Sequence, residues 1–214
     1  MQIRSFIFNR NQENTYVVSD EQMGICSIID CGCSKLDEFR LIKNYINDCG
    51  MSVANCLHTH LHFDHMFGAK YCYEEYGVRP KACLLEKDIL KWNKMASLFM
   101  GLTDNERLLL NFDNFDWIEH QEKISFGSVI FEILYTPGHT PGSISFWCPE
   151  KKVLFSGDLI FKNGFGRTDF DYGDKQQMSS SLRNIASLNL ETLIFPGHGG
   201  MTQLDHELIN INKY

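Results

Sequence analysis

The feature that most constrains this chain of 214 residues is the segment Thr59-His60-Leu61-His62-Phe63-Asp64-His65, which holds three histidines and one aspartate within six positions. It directly follows residues 53–57, an apolar run that predicts a β-strand. Ionisable groups crowded against an apolar strand are costly unless they are paired or bound to a metal. Imidazole and carboxylate are the ligands expected for zinc and similar first-row metals. The sequence therefore predicts a metal site directly after this strand.

Backbone geometry predicts how these four side chains share the site. Side chains alternate between the two faces of an extended segment, so His60 and His62 are expected on the same side. Asp64 and His65 follow at the start of the next helix and can turn back toward them. His58, two residues before His60, is interpreted instead as a packed or solvent-facing residue.

Three later clusters each place one potential ligand directly after a predicted strand. Each ligand has a glycine beside it, which lets the backbone turn tightly. A histidine in such a turn is by itself more often a surface residue, so the prediction depends on the clusters recurring in order. They are His139 after the strand predicted over 128–135, Asp158 after 153–155, and His198 after 192–195.

Strand and helix signals are mixed in both halves of the chain. Further strands are predicted over 3–8, 15–19, 25–30, 81–85 and 144–147, and helices over 66–76, over 175–188 and from Leu204. Another helix is expected to begin with Ser34 as its N-cap, with Asp37 in the capping-box position, and to end at Gly50. This pattern favours an α/β fold of two sheets covered by helices. No linker divides the chain, so residues 1–214 are expected to form one domain.

The segment 86–119 differs in character because it carries large apolar residues without a clear strand pattern. It predicts one or two short helices. The favoured interpretation is a layer covering the core, since apolar stripes are usually core, and the alternative is a hydrophobic cap over a substrate cleft. The residues in question are Trp92, Met95, Leu98, Phe99, Met100 and Leu108–Leu110.

Composition and charge exclude several classes of partner. The chain has 20 basic and 27 acidic residues, a net charge of −7, which argues against a nucleic-acid-binding surface. No run approaches the roughly 18 apolar residues of a membrane span. Met1–Arg10 lacks the features of a secretory signal, so a cytoplasmic location is expected.

The eight cysteines are interpreted as buried free thiols in a reducing compartment. Several lie inside apolar runs, and the chain shows no secretory signal. Only Cys31-Gly32-Cys33 suggests a metal or redox site, and its one-residue gap differs from the usual spacing of a zinc knuckle.

Taken in order, these motifs resemble the signature of the metallo-β-lactamase-fold hydrolases, specifically their glyoxalase II-like branch. That signature is His-x-His-x-Asp-His followed by a single His, a single Asp and a final His. Other similar landmarks are Asn14-Thr15-Tyr16, Asp30-Cys31-Gly32, the segment 136–142 and Gly166-Arg167-Thr168-Asp169. The resemblance implies a four-layer αββα sandwich with two metal ions at one edge of the sheets.

The resemblance also assigns the ligands. It implies that His60, His62 and His139 hold one ion, that Asp64, His65 and His198 hold the other, and that Asp158 bridges both. Two divalent ions, zinc by default with iron or manganese as alternatives, would activate a water that Asp64 orients. None of the cysteines is needed for these ligand positions.

Two further residues are expected near the site. Asp30 is expected to support the metal loops, with a turn-forming aspartate as the alternative. Arg167 is expected to bind a substrate carboxylate, as a basic residue does in glyoxalase II enzymes, or else to pair with Asp169 or Asp171. Glutathione-using relatives often have a tyrosine where this chain has Asp169, and the helical domain that follows the last ligand in full-length enzymes is not expected here.

The resemblance implies an enzyme, namely a binuclear metal-dependent hydrolase that cleaves a hydroxyacyl-glutathione or related small thioester. A thiolate leaves readily because the pKa of a thiol is about 8.5. The alternatives are a persulfide dioxygenase with a single iron, a lactonase or other ester hydrolase, and a metal-binding module without activity. The sequence leaves the metal and the oligomeric state open.

Overall fold

The structure is a computed structural model that describes residues 1–119 and 123–214, and it contains two six-stranded sheets. The first sheet has the strand order β1-β2-β3-β4-β5-β6. Its first three strands pair antiparallel, and each later strand adds in parallel. The strands are Gln2–Phe8 (β1), Glu13–Asp20 (β2), Ile25–Ile29 (β3), Ser52–Leu57 (β4), Pro80–Cys83 (β5) and Asp116–Ile118 (β6).

The second sheet has the order β14-β13-β10-β9-β8-β7, and a short separate hairpin pairs β11 with β12. All neighbours in the second sheet are antiparallel except β10 and β13. The strands are Lys123–Phe126 (β7), Val129–Tyr135 (β8), Ile144–Cys148 (β9), Val153–Gly157 (β10), Ile160–Phe161 (β11), Gly164–Phe165 (β12), Leu193–Pro196 (β13) and Thr202–Gln203 (β14).

Helices lie between and after these strands. None of them, in the part of the chain that the structure describes, is long and apolar enough to cross a membrane. They are Leu36–Asp48 (α1), Phe63–Met66 (α2), Ala69–Tyr76 (α3), Lys87–Ala96 (α4), Asp104–Leu109 (α5), Lys175–Ala186 (α6) and Leu204–Ile211 (α7).

Alternation along the strands separates the core into layers. In β2, Val18 packs in the core between the two sheets, whereas the neighbouring Val17 packs under α1 on the outer face. The second sheet behaves in the same way: Phe155 faces the first sheet, and Leu154 packs with α6 and α7. The layers are therefore helix, sheet, sheet and helix, which confirms the predicted α/β fold of the αββα type.

The helix predicted over 66–76 is divided in two. The single turn of α2 ends at Met66, and α3 starts at Ala69. Between them the backbone N–H of Gly68 donates to the carbonyl of Cys31 over 2.8 Å, and a Cβ on Gly68 would lie 2.3 Å from Cys31 Sγ. Only glycine permits this close approach, which holds the segment 60–66 against the end of the first sheet.

The predicted N-cap at Ser34 is wrong. The cap position is Lys35, which makes no side-chain cap bond, and Asp37 does not complete a capping box. Ser34 instead donates through its backbone N–H (2.7 Å) and its hydroxyl (3.2 Å) to Glu38. The carboxylate within the first helical turn thus ties down the preceding loop.

The segment 86–119 contains α4 and α5, as predicted, but it also contains the unpredicted strand β6. Three residues are too few for an alternating pattern to be recognised. Leu109 and Leu110 are buried in the core, whereas Trp92 and Met100 line a cavity described below and Phe99 is exposed. All eight cysteines are free thiols; seven are buried, as predicted, and Cys49 is exposed.

Candidate metal centre

The predicted ligands converge where four chain segments meet at one edge of the two sheets. The segment after β4 supplies four of them, and the loops after β8, β10 and β13 supply one each. The side chains that converge are His60, His62, Asp64, His65, His139, Asp158 and His198. The structure therefore brings together every residue of the predicted ligand set.

One group consists of three histidines. His62 Nδ1 lies 3.1 Å from His60 Nε2 and 2.8 Å from His139 Nε2. Two ligands about 2.0–2.1 Å from a tetrahedral zinc ion are themselves roughly 3.4 Å apart. The spacing of these nitrogens is close to that of ligands arranged around one ion.

A second group lies beside the first. His198 Nε2 is 3.3 Å from His65 Nε2 and 3.4 Å from Asp64 Oδ2. These three atoms lie within 4.8 Å of one another, as do the atoms of the first group. The edge therefore contains two adjacent sets of donors, each able to hold a metal ion.

Asp158 lies between the two groups. Its Oδ1 is 3.4 Å from His65 Nε2, and its Oδ2 is 3.4 Å from His139 Nε2. The buried Oδ1 accepts no hydrogen bond within the described residues. Gly197 makes this position possible, because a Cβ there would lie 2.2 Å from Asp158 Oδ1. A buried carboxylate oxygen without a donor is suited to a cation, so these residues fit a pair of metal ions.

The second nitrogen of each histidine has its own partner. Such partners fix the orientation and the tautomer of a ligating imidazole. They are Thr59 Oγ1 for His60 (3.1 Å), the Tyr172 hydroxyl for His62 (2.8 Å), Asp30 Oδ2 for His65 (3.2 Å), the Arg167 carbonyl for His139 (2.8 Å) and the Asn11 carbonyl for His198 (3.1 Å).

Asp30 holds the start of the ligand segment. It is buried, with a left-handed φ of 50°, and its Oδ1 accepts the backbone N–H of Thr59 over 2.7 Å. Its Oδ2 accepts the Thr59 hydroxyl over 2.7 Å and lies next to His65 Nδ1. The structure thus places Asp30 in contact with a predicted ligand.

Burial and charge shift the pKa values in the site. Burial lowers the pKa of His62 to about 3, and it also lowers the pKa values of His60 and His139. Burial would raise the pKa of Asp158, but His65, His139 and His198 together outweigh burial and lower this pKa to about 2. Neutral imidazoles and ionised carboxylates are the forms that bind metals.

His65 shows the opposite shift. Burial would lower its pKa, but the carboxylates of Asp158 and Asp64 outweigh burial and raise it well above the ordinary value. The excess of negative charge around His65 attracts a proton or a cation to this part of the site.

Glu86 is a buried residue that the sequence reasoning missed. Its Oε2 accepts the N–H of Leu61 (2.7 Å), and its Oε1 accepts the Thr140 hydroxyl (2.6 Å) and the N–H of Gly142 (2.8 Å). Glu86 thereby joins the loop of His60 and His62 to the loop of His139, while burial raises its pKa to about 7. In the sequence it is only one acidic residue after a predicted strand.

The start of β2 holds the His198 loop. Asn14 donates its backbone N–H to the carbonyl of Gly197 over 2.8 Å, and its side chain donates to the carbonyls of Pro196 (3.0 Å) and Gly199 (2.8 Å). The Tyr16 hydroxyl also donates to the carbonyl of Pro196, over 2.6 Å. These contacts give a structural role to the landmark Asn14-Thr15-Tyr16.

A cavity of about 400 Å³ opens above the ligands, and its wall is largely aromatic. The Phe170 and Tyr172 rings stack at 5.4 Å, and both contact the imidazole of His62. Sequence reasoning missed Tyr172, which lies three residues beyond the position where relatives often have a tyrosine. The apolar side chains in the wall are Phe63, Trp92, Met100, Phe161, Phe165, Phe170 and Tyr172.

Arg167 lines the same cavity, but its charge is paired. Nε and a terminal nitrogen of its guanidinium donate to the two oxygens of Asp169 over 2.8 and 2.9 Å, and the group lies 4.8 Å from the Phe170 ring centroid. Within the described residues, Arg167 forms its ion pair with Asp169 and none with Asp171. The alternative of an ion pair with Asp169 is therefore confirmed, whereas binding of a substrate carboxylate by Arg167 stays a prediction.

Comparison with known proteins agrees with this geometry. Residues 9–198 match the family model of the metallo-beta-lactamase superfamily. The chain is 35% identical to hydroxyacylglutathione hydrolase GloC of Haemophilus influenzae, over 92% of this chain and 90% of that protein. It is 32% identical to the probable metallo-hydrolase YqgX of Bacillus subtilis, over 90% of this chain and 88% of that protein.

Among solved structures, the chain is similar to TTHA1623 in a di-iron-bound form. The two share 28% sequence identity and superpose with a TM-score of 0.80, covering 95% of this chain and 96% of that one. The family model covers the chain from before β2 to the last predicted ligand, His198. The chain belongs to the metallo-beta-lactamase superfamily, in the glyoxalase II-like branch of its hydrolases.

Proposed function

We propose that this protein is a thioester hydrolase of the glyoxalase II type that works with two metal ions. The observation that carries the proposal is the position of Asp158, whose two carboxylate oxygens face the two groups of histidines at 3.4 Å each. A carboxylate in this position is suited to bridge two ions. The similarity to a hydroxyacylglutathione hydrolase supports a hydroxyacyl-glutathione or related thioester as the substrate.

In this proposal every predicted ligand has its role. His60, His62 and His139 would hold one ion, Asp64, His65 and His198 would hold the second, and Asp158 would be shared. Zinc is the proposed metal because imidazole and carboxylate suit it, and the di-iron-bound form of TTHA1623 makes iron the principal alternative. When bound, the pair would lower the pKa of a water molecule and polarise the substrate carbonyl.

The residues of the chain supply the remaining requirements. Asp64, held by Asn11 Nδ2 over 2.9 Å, orients the attacking water toward the carbonyl carbon. The thiolate then leaves without a strong general acid, because the pKa of a thiol is about 8.5. Phe170 and Tyr172 give the cavity an aromatic wall beside His62.

The test combines a substrate panel with metal analysis. S-lactoylglutathione, simple thioesters, lactones and glutathione persulfide are each assayed on protein whose metal content has been measured. We expect thioester hydrolysis with two ions per chain. Oxygen uptake on the persulfide with one iron per chain would support the dioxygenase instead, and preferential lactone cleavage would support a lactonase.

The variant Asp64→Asn tests the mechanism. We expect it to abolish turnover, at least about a thousandfold, because it weakens a ligand and the orientation of the water. Circular dichroism should show an unchanged fold. Near-normal hydrolysis by this variant would contradict the proposed role of Asp64.

A further inference from the structure

An apolar groove lies beside the metal-site cavity. It is formed by one side of α4 and the turn after it, and it encloses about 390 Å³. Its lining residues are Trp92, Met95, Ala96, Phe99 and Met100. The side chains of Met95 and Phe99 are 70% and 89% exposed. Exposed apolar side chains grouped in this way typically mark a binding surface.

The groove adjoins the cavity above the predicted ligands. Trp92 and Met100 line both spaces. The Trp92 ring packs edge-on against Tyr172 at 5.4 Å, and the Tyr172 hydroxyl lies 2.8 Å from His62 Nε2. An extended ligand could therefore reach from the histidines, past Tyr172 and Trp92, to Phe99.

The charged groups near the groove are engaged elsewhere. On α4, Lys91 pairs with Asp88 (2.8 Å) and Lys94 pairs with Asp113 (3.0 Å). Arg10 donates to the carbonyls of Met100 (2.9 Å) and Gly101 (3.3 Å), which anchors the turn after α4. The groove itself is lined only by apolar side chains, so it suits a hydrocarbon chain better than a peptide rich in carboxylates.

We propose, on the basis of the thioester hydrolysis proposed above, that this groove binds the acyl chain of the substrate. The preferred substrates would then be thioesters of medium-length, unbranched acyl groups. The thioester carbonyl lies at the histidines, and the hydrocarbon chain runs past Trp92 toward Phe99. The shared lining of the two spaces selects this occupant, because a chain attached to the reacting carbonyl needs to pass only Trp92 and Met100 to reach the groove.

The experiment is a series of acyl thioesters on one thiol, N-acetylcysteamine, from acetyl through butanoyl and hexanoyl to octanoyl. Burial of one methylene is favourable by about 0.8 kcal/mol, so kcat/KM is expected to rise about fourfold per methylene until the groove is filled. In Phe99→Ser and in Met95→Ser, the ratio of octanoyl to acetyl kcat/KM is expected to fall about tenfold. Both side chains are exposed, so the variants should fold.

The matched control is Leu41→Ser on α1, where the side chain is 56% exposed and outside the groove. This variant is expected to keep the full dependence on chain length. An equal loss of chain-length dependence in the control would overturn the inference.

Failure of the inference and failure of the proposed function give different results. Hydrolysis of thioesters without dependence on chain length would overturn the inference that the groove binds the acyl chain, while leaving the proposed function intact. If no thioester is cleaved, calorimetric titration still tests the groove: octanoate should bind at least tenfold more tightly than acetate, and equal affinities would overturn the inference.

A second copy of the chain is the competing occupant. Sedimentation velocity tests it, because a dimer that Phe99→Ser dissociates, combined with a flat chain-length profile, would assign the groove to an interface and overturn the inference.

Discussion

The metal-binding edge and the apolar groove beside it are built in opposite ways. At the edge, polar side chains are almost completely buried, and each histidine has a second partner such as Asp30 or Tyr172. In the groove, apolar side chains such as Phe99 are exposed, and the lining comes from one short segment. Substitutions at the metal-binding edge are therefore expected to affect metal binding and catalysis. Substitutions in the groove are expected to change which substrates are preferred.

The difference also predicts how each region responds to substitution. The segments of the edge depend on one another, because Glu86 joins two ligand loops and Asn14 holds a third. A change at one of these positions should affect all the bound metal. Met95 and Phe99 in the groove are exposed, so a change at either should alter selectivity and little else.

Outside the predicted ligands themselves, the largest expected effect is that of Glu86→Gln, which tests whether the edge acts as a unit. The amide cannot accept all three of the hydrogen bonds that Glu86 accepts. We expect zinc affinity to fall about 10- to 100-fold, the usual cost of losing a group that orients ligands. Chelator competition measures the affinity.

Glu150→Gln is the control for this prediction, since Glu150 is exposed and pairs with Lys151. Its zinc affinity should equal that of the wild type. If Glu86→Gln also binds zinc like the wild type, the ligand loops do not depend on one another. The contrast between an interdependent edge and an independent groove is then wrong.

A smaller effect is expected from Tyr172→Phe, at the boundary of the two regions. The variant keeps the ring that contacts Trp92 but loses the hydroxyl beside His62. Loss of one such hydrogen bond should lower kcat/KM about two- to tenfold while the dependence on acyl length is retained. Steady-state kinetics on the acyl series measures both quantities.

Tyr73→Phe on α3, away from the cavity, provides the matched control and should behave like the wild type. If Tyr172→Phe keeps the wild-type kcat/KM but loses the chain-length preference, Tyr172 acts in binding the acyl chain and not in positioning His62.

The smallest effect is expected from Asp169→Asn, which releases Arg167 from its ion pair. Exposed ion pairs contribute about 0–1 kcal/mol, so kcat/KM for S-lactoylglutathione should rise up to about fivefold, with no change for uncharged acyl thioesters. The control is Asp171→Asn, which leaves the pair intact. An equal change in kcat/KM for S-lactoylglutathione and for the uncharged thioesters would show that Arg167 does not bind a charged group of the substrate.

Much of the fold was predictable because its elements are locally encoded. Most strands of the two sheets and most helices follow from alternation and helical periodicity, whereas β6, β7 and β14 were not predicted. The failures have local causes: β6 is too short to show a pattern, and Ser34 is held by Glu38 instead of capping α1. The division between α2 and α3 depends on Cys31, which approaches Gly68 from outside the helix.

The sequence by itself determined which histidines and aspartates lie together. Ionisable residues that follow apolar strands are costly to bury unless they are paired or bound to a metal. Tertiary structure alone decided what surrounds them. Tyr172 reaches His62 across 110 positions, and Asn11 reaches Asp64 across 53. No local pattern encodes such contacts, since they depend on how the sheets and loops pack against one another. The shared wall of the apolar groove and the metal-site cavity, formed by Trp92 and Met100, is likewise a property of that packing.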